Sequence, residues 1–218
     1  MFRALLLICV ALNVSSCGGG GGGDGGAPRR AITAQIISDP VFDGDIQDTS
    51  PFTVTQGMSA SVQSVFAGVD PATSIESRAF LDFPLTGASG IPSNAIIESA
   101  SLDIFINSVT PGNGAVPILI ELVSFRPPTL IPTDFDRTIQ PPLAYVIVSP
   151  PINGSDVGTN LPIDVTPLMV HAQSLGLTDF QVRIMEDVGP AIPVLIEIND
   201  TTGADRARRA PILTVTYF

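Results

Sequence analysis

The chain has 218 residues, is 44% hydrophobic, and sets 21 acidic residues against 10 arginines with no lysine, for a formal net charge of −11. So acidic a chain repels phosphate backbones, whose binding needs a basic face that releases counterions, and this excludes nucleic acid as a partner. Both cysteines, Cys9 and Cys17, lie in the N-terminal stretch, so the rest of the chain can form no internal disulfide, cysteine nucleophile or zinc–thiolate centre.

Arg3, the apolar run 4–12 and the small residues after it have the layout of a secretory signal over residues 1–16. The run is too short to span a bilayer. Val14-Ser15-Ser16-Cys17 resembles the bacterial lipobox, in which small residues precede a cysteine that is acylated and becomes the new N-terminus. The expectation is a lipoprotein anchored to a membrane through Cys17. Gly19 after Gly18 lacks the aspartate that often retains such proteins at an inner membrane, so outer-membrane placement is expected. Residues 17–30, nearly all glycine at first, cannot pack a core and read as a flexible tether.

From residue 31 onward the dominant period is two, with β-branched residues plentiful and prolines between short runs. Strands are expected at 32–36, 52–55, 79–83, 100–106, 116–123, 143–148, 180–185, 194–198 and 212–218. In the fourth, Ala100, Leu102, Ile104 and Ile106 share a face. Thr166 before Pro167 is a helix-start signature and Gly176 a stop, which predicts one helix over 167–175 with Leu168, Ala172 and Leu175 on one face. No composition shift divides the region, so the expected architecture is all-β: one antiparallel, jelly-roll-like β-sandwich of about ten strands with a short helix over 31–218. A monomer is expected.

Four segments carry a family resemblance: Ser77-Arg-Ala-Phe-Leu-Asp-Phe-Pro-Leu85, Ile91-Pro-Ser-Asn-Ala-Ile-Ile-Glu-Ser-Ala-Ser-Leu102, Ile163-Asp-Val-Thr166 and Ala210-Pro-Ile-Leu-Thr-Val-Thr-Tyr217. Their order and spacing resemble DNRLRE-type domains, related to a carbohydrate-binding module family found beside polysaccharide lyases. The resemblance implies a jelly-roll-like sandwich and a non-catalytic role. One departure concerns the ligand. Sugar-binding faces generally stack pyranose rings on exposed tryptophan or tyrosine, and this chain has no tryptophan and two tyrosines, Tyr145 and Tyr217, both in expected strands.

No catalytic residues are assigned. The single histidine, His171, falls in the expected helix without a Gly-x-Ser-x-Gly elbow anywhere, and reads as a packed or surface residue. Arg78 reads as a structural partner for a nearby acid or carbonyl, with a carboxylated sugar as the alternative. Asp39, Asp43, Asp45 and Asp48 form an acidic loop, read first as solvated. Asp43, Asp45 and Asp48 are the candidate ligands of a structural calcium ion, although the spacing does not match an EF-hand; no other cofactor is expected. The expected function is that of a non-enzymatic envelope lipoprotein whose β-sandwich binds or displays a ligand at the cell surface or in the periplasm. A glycan-binding module for polysaccharide capture is the first alternative and a polysaccharide-active enzyme, with a carboxylate pair across one cleft, the second.

If Cys17 is the lipid attachment point, the intact protein partitions into detergent after phase separation. Cys17→Ser then yields a soluble exported protein; equal partitioning of the two ends the lipoprotein reading.

Overall fold

A computed structural model describes residues 30–57, 63–87, 90–125, 129–187 and 192–218. The expected signal peptide, the lipidation site Cys17 and all but the last residue of the tether lie outside them. The described residues form β1 (Ile32–Ile37), β2 (Gly44–Gln47), β3 (Thr53–Gln56), β4 (Ser64–Val69), β5 (Glu76–Pro84), β6 (Ile97–Thr110), β7 (Ala115–Val116), β8 (Ile118–Val123), β9 (Ala144–Ile147), β10 (Ile152–Asn153), β11 (Asn160–Asp164), α1 (Thr166–Ser174), β12 (Asp179–Glu186), β13 (Leu195–Asn199), α2 (Arg206–Arg209) and β14 (Ile212–Tyr217). The fold is all-β, as expected. Among the described residues no helix is long and apolar enough to cross a membrane.

Every strand pairing is antiparallel, and one large curled sheet runs β1-β14-β6-β13-β4-β5-β12-β8-β9. On its other edge β6 takes β11, and β5 takes the β2–β3 hairpin. Strand β6 is 14 residues long and serves two neighbourhoods. Its first part pairs with β14 and β11 and its last part with β13, with register shifts at Thr216/Tyr217 and Glu197/Ile198. Such irregularities add local twist and let a sheet curl. Gly68 serves the same turn in β4: its φ is +109°, and a Cβ there would stand 2.2 Å from the Val194 carbonyl, so only glycine fits.

Curling closes the inner face on itself. Ala100, Leu102, Ile104 and Ile106 of β6 meet Leu81 and Phe83 of β5, Ile118, Ile120 and Leu122 of β8, and Phe180, Val182 and Ile184 of β12 in one buried cluster. The alternation read from 100–106 is therefore a true inward face. Helix α1 covers one part of this core with Leu168, Met169 and Ala172. It starts one residue earlier than expected, and Leu175, expected on one face with the buried Leu168 and Ala172, is 48% exposed. Leu175 is the C-cap, beyond the last helical turn, so the inward stripe closes on Met169 instead.

Unlike the outer β1–β14 region, β5, β8 and β12 are buried on both faces. Ile46, Phe80, Val123, Phe125, Leu130 and Phe135 make a second, smaller core over their outer side. Within it lies an ion pair between Glu121 and Arg183, both 0% exposed. Arg183 Nε donates to Glu121 Oε2 at 2.7 Å, while Nη1 donates to the Asp134 carbonyl at 2.7 Å and Nη2 to the Gln140 carbonyl at 3.1 Å. Arg137 closes on Glu121 Oε1 at 2.7 Å from the solvent side. One guanidinium thus fastens both ends of the 134–140 stretch to the sheet beneath it.

Breaking a buried pair leaves an unmatched charge. Arg183→Met should therefore destabilise the fold by about 3 kcal/mol or more in urea unfolding, whereas adding Glu121→Leu should recover much of the loss. Additive effects of the two changes would show that the pair is not coupled.

Candidate functional site

On the outer face of β11, β6 and β14 the strand register lays small polar side chains in rows. Thr33 stands opposite Thr216 and Thr216 opposite Ser99; in the next row Gln35, Thr214, Ser101 and Asp164 follow one another. Thr33 and Thr216 hydroxyls lie 3.2 Å apart. Together these strands line an open groove of about 780 Å³, walled by Ser99, Ser101, Thr214 and Thr216 and ending at Glu98, Asp164 and Thr166. The groove's floor exists because Ala100, Leu102, Leu213 and Val215 take the inward positions between these residues, leaving the alternate positions to face out.

The start of α1 closes one end. Thr166 does not cap its own helix: its hydroxyl accepts from the Ala100 amide at 2.9 Å, tying the helix to β6. The N-cap is Val165, which offers no side-chain cap, and Asp164 just before it accepts from the Thr166 amide at 2.9 Å. Hydrogen bonds from the Thr166 side chain and amide hold the Asp164 carboxyl below its ordinary range, so the groove keeps a fixed negative end. Ser101 Oγ is buried in the groove wall without a protein hydrogen-bond partner. Sequence reasoning missed this surface; the alternating Ser99-x-Ser101 and Thr214-x-Thr216 pairs were its only signal.

A second hollow, about 300 Å³, is lined by Asp45, Gln47, Thr55, Gln63, Ser64, Phe66 and Glu197. Glu197 accepts from Ser64 Oγ at 2.6 Å, Asn107 Nδ2 at 3.2 Å and Ser108 Oγ at 2.9 Å. Asp45 is 1% exposed, and burial pushes its carboxyl up to about 7. A third, largely apolar hollow of about 190 Å³ lies between α1 and Leu85, Thr86, Ile91 and Ser93.

The acidic stretch read as a loop is instead strand β2 with its lead-in, and the strand disperses the three calcium candidates. Asp43 and Asp45 are buried, while Asp48 is exposed beyond the strand. Among the described residues no group of three or more histidines, cysteines, aspartates or glutamates is placed to hold a metal. Asp43 meets Asp200 and Ser38 rather than its sequence neighbours; burial, then the Asp200 charge, raises its carboxyl well above the ordinary value. Burial also lifts Asp200 to about 6, opposed by Arg206, and Asp82, a partner of Gln181, to about 6.

Arg78 is structural. Its Nε donates to Glu76 at 2.7 Å, its Nη1 to the Phe135 carbonyl, and its guanidinium lies 3.9 Å from the centre of the Phe135 ring. His171 is half-buried in α1, Tyr217 is buried, and Tyr145 is 59% exposed on β9. A scan against protein-family models finds no match, and neither does a search of curated proteins.

Glu186, 7% exposed at the end of β12, is raised to about 7, first by burial and then by the Glu76 charge. Because the unfolded carboxyl releases its proton near the ordinary value of 4.5, the folded state holds that proton longer and loses relative stability as pH climbs between the two values. Glu186→Gln should therefore flatten the decline between about pH 5 and 8 and be more stable at pH 8 by on the order of 2 kcal/mol. Parallel pH profiles for variant and wild type would contradict this.

Proposed function

We propose that the chain is a non-catalytic module of a bacterial envelope lipoprotein, held to a membrane, in the outer envelope, by an acylated Cys17. Its β-sandwich binds a neutral, hydroxyl-rich ligand, a glycan, in the groove across β11, β6 and β14. The observation that carries the ligand class is the pair of hydroxyl rows lining that groove, with Asp164 and Glu98 at its end. Hydroxyls that both donate and accept, next to carboxylates that only accept, match the alternating donors and acceptors of a sugar edge. Adding to this, the DNRLRE-type resemblance points to carbohydrate-binding relatives.

Two features argue for weak, neutral recognition. Among the described residues the groove has no aromatic wall on which a pyranose could stack. Nor do Arg78 and Arg183 offer a basic patch to a polyanion, being committed inside the molecule. The enzymatic alternative is disfavoured in both described hollows that hold two carboxylates: Asp45 is 1% exposed, so a scissile bond has no approach to it, and in the groove the Asp164 carboxyl is held below its ordinary range and does not serve as a proton donor.

Affinity electrophoresis through gels containing soluble neutral glycans tests the reading. Retardation is expected with dissociation constants of about 0.1–1 mM, roughly −4 to −5.5 kcal/mol, and Thr214→Val with Thr216→Val should weaken it at least about five-fold by removing hydroxyls while keeping the strand. Low-micromolar binding to alginate or pectate, or retardation unaffected by the double variant, would overturn it.

A further inference from the structure

The residue after β1, the residue before β2 and the residue after β13 bring Ser38, Asp43 and Asp200 together. All three are enclosed, at 2%, 0% and 2% exposed. Asp43 Oδ1 is taken, accepting from the Asp82 amide at 2.8 Å. Three other oxygens, Asp43 Oδ2, Asp200 Oδ1 and Ser38 Oγ, make no hydrogen bond of regular geometry, although Asp43 lies within reach of Ser38 and Asp200, and Asp200 within reach of Arg206. Buried oxygens of this kind are normally satisfied by a hydrogen bond or by a metal ion. Here the neighbours of the Asp43 carboxyl are the other two members of the set.

The charge around them is also unbalanced. The Asp39 charge also acts on Asp200. Arg206 is the cation at hand, with Nη1 3.7 Å from Asp200 Oδ1 and Nη2 donating to the Ser38 carbonyl. Three carboxylates against one guanidinium leave a formal charge of −2, which one divalent cation would cancel. We propose that Asp43, Asp200 and Ser38 form a calcium site that pins β1, β2 and β13 together at this edge of the sandwich. Oxygen-only donors exclude the metals that favour imidazole or thiolate. Calcium accepts six to eight oxygens of mixed type in irregular geometry, so two carboxylates and a hydroxyl completed by carbonyls and water suit it, whereas magnesium requires a near-ideal octahedron. Asp45 and Asp48 have no part in it, and the site is independent of the glycan and anchor readings.

The test uses the full chain, stripped with a chelator and returned to calcium-free buffer at neutral pH. Adding about 5 mM calcium chloride should raise Tm by about 5 °C, and the same magnesium concentration by less than half as much. Calorimetry should find one calcium per chain. Asp43→Asn and Asp200→Asn should abolish the Tm response, while Asp45→Asn, altering the buried carboxylate two residues further on, should retain it. A wild-type Tm unmoved by calcium, together with no calorimetric saturation, would overturn the site and mean that the two carboxyls share a proton. A response retained in both Asn variants would overturn it equally, by locating the calcium elsewhere.

Discussion

The covering of the β5–β8–β12 outer face depends on the ion pair between Glu121 and Arg183. A charge with no access to solvent is tolerated only when its partners are complete. Arg183 therefore reaches past Glu121 to the carbonyls of Asp134 and Gln140. Those carbonyls belong to a segment that makes no strand, so the pair is what attaches irregular chain to regular sheet. Arg78 repeats the arrangement nearby through the Phe135 carbonyl and ring. Phe80, Val123, Phe125 and Leu130 then exclude water around the two guanidiniums, strengthening every polar contact among them.

This division of labour gives the molecule two unlike outer surfaces. Over β5, β8 and β12, polar side chains point outward from the sheet but are roofed over and consumed by internal contacts. Across β11, β6 and β14 the described residues leave the sheet lining an open groove, which Ser99, Thr214 and Thr216 face. Both surfaces belong to one curled sheet, and the double service of β6 connects them: its register shifts turn the polypeptide from one neighbourhood to the other.

Burial also changes the meaning of the formal charge. Asp43, Asp45, Asp82, Glu121, Glu186 and Asp200 are all nearly inaccessible. Glu121 is neutralised by two arginines, and burial raises the carboxyls of the other five above their ordinary values. The surface potential that a ligand meets is accordingly weaker than −11 suggests. Repulsion of polyanions rests as much on the sequestration of Arg78 and Arg183 as on the number of acids.

Periodicity was enough to find the longer strands and the all-β class, because an inward face imposes alternation on any strand covered on one side. The 100–106 run and the 212–218 run are cases in point, and Pro167 located α1 to within a residue because its missing amide suits a first turn. Elements without a local signal escaped: β2 looks like an acidic loop, β4 is interrupted by Gly68, and β10 lies inside a proline-rich stretch. The same limit applies to the sites. Asp43, Asp45 and Asp48 are neighbours in sequence, but a strand points alternate side chains in opposite directions and carries Asp48 out to solvent. Asp43's actual companions are Ser38 and Asp200, the latter far along the chain at the end of β13. The hydroxyl groove likewise exists only where β6, β11 and β14 are set side by side. Local sequence carries hydrophobic period and turn chemistry, which act over a few residues; the pairing of distant strands determines which polar groups meet, and that was decided by the tertiary structure.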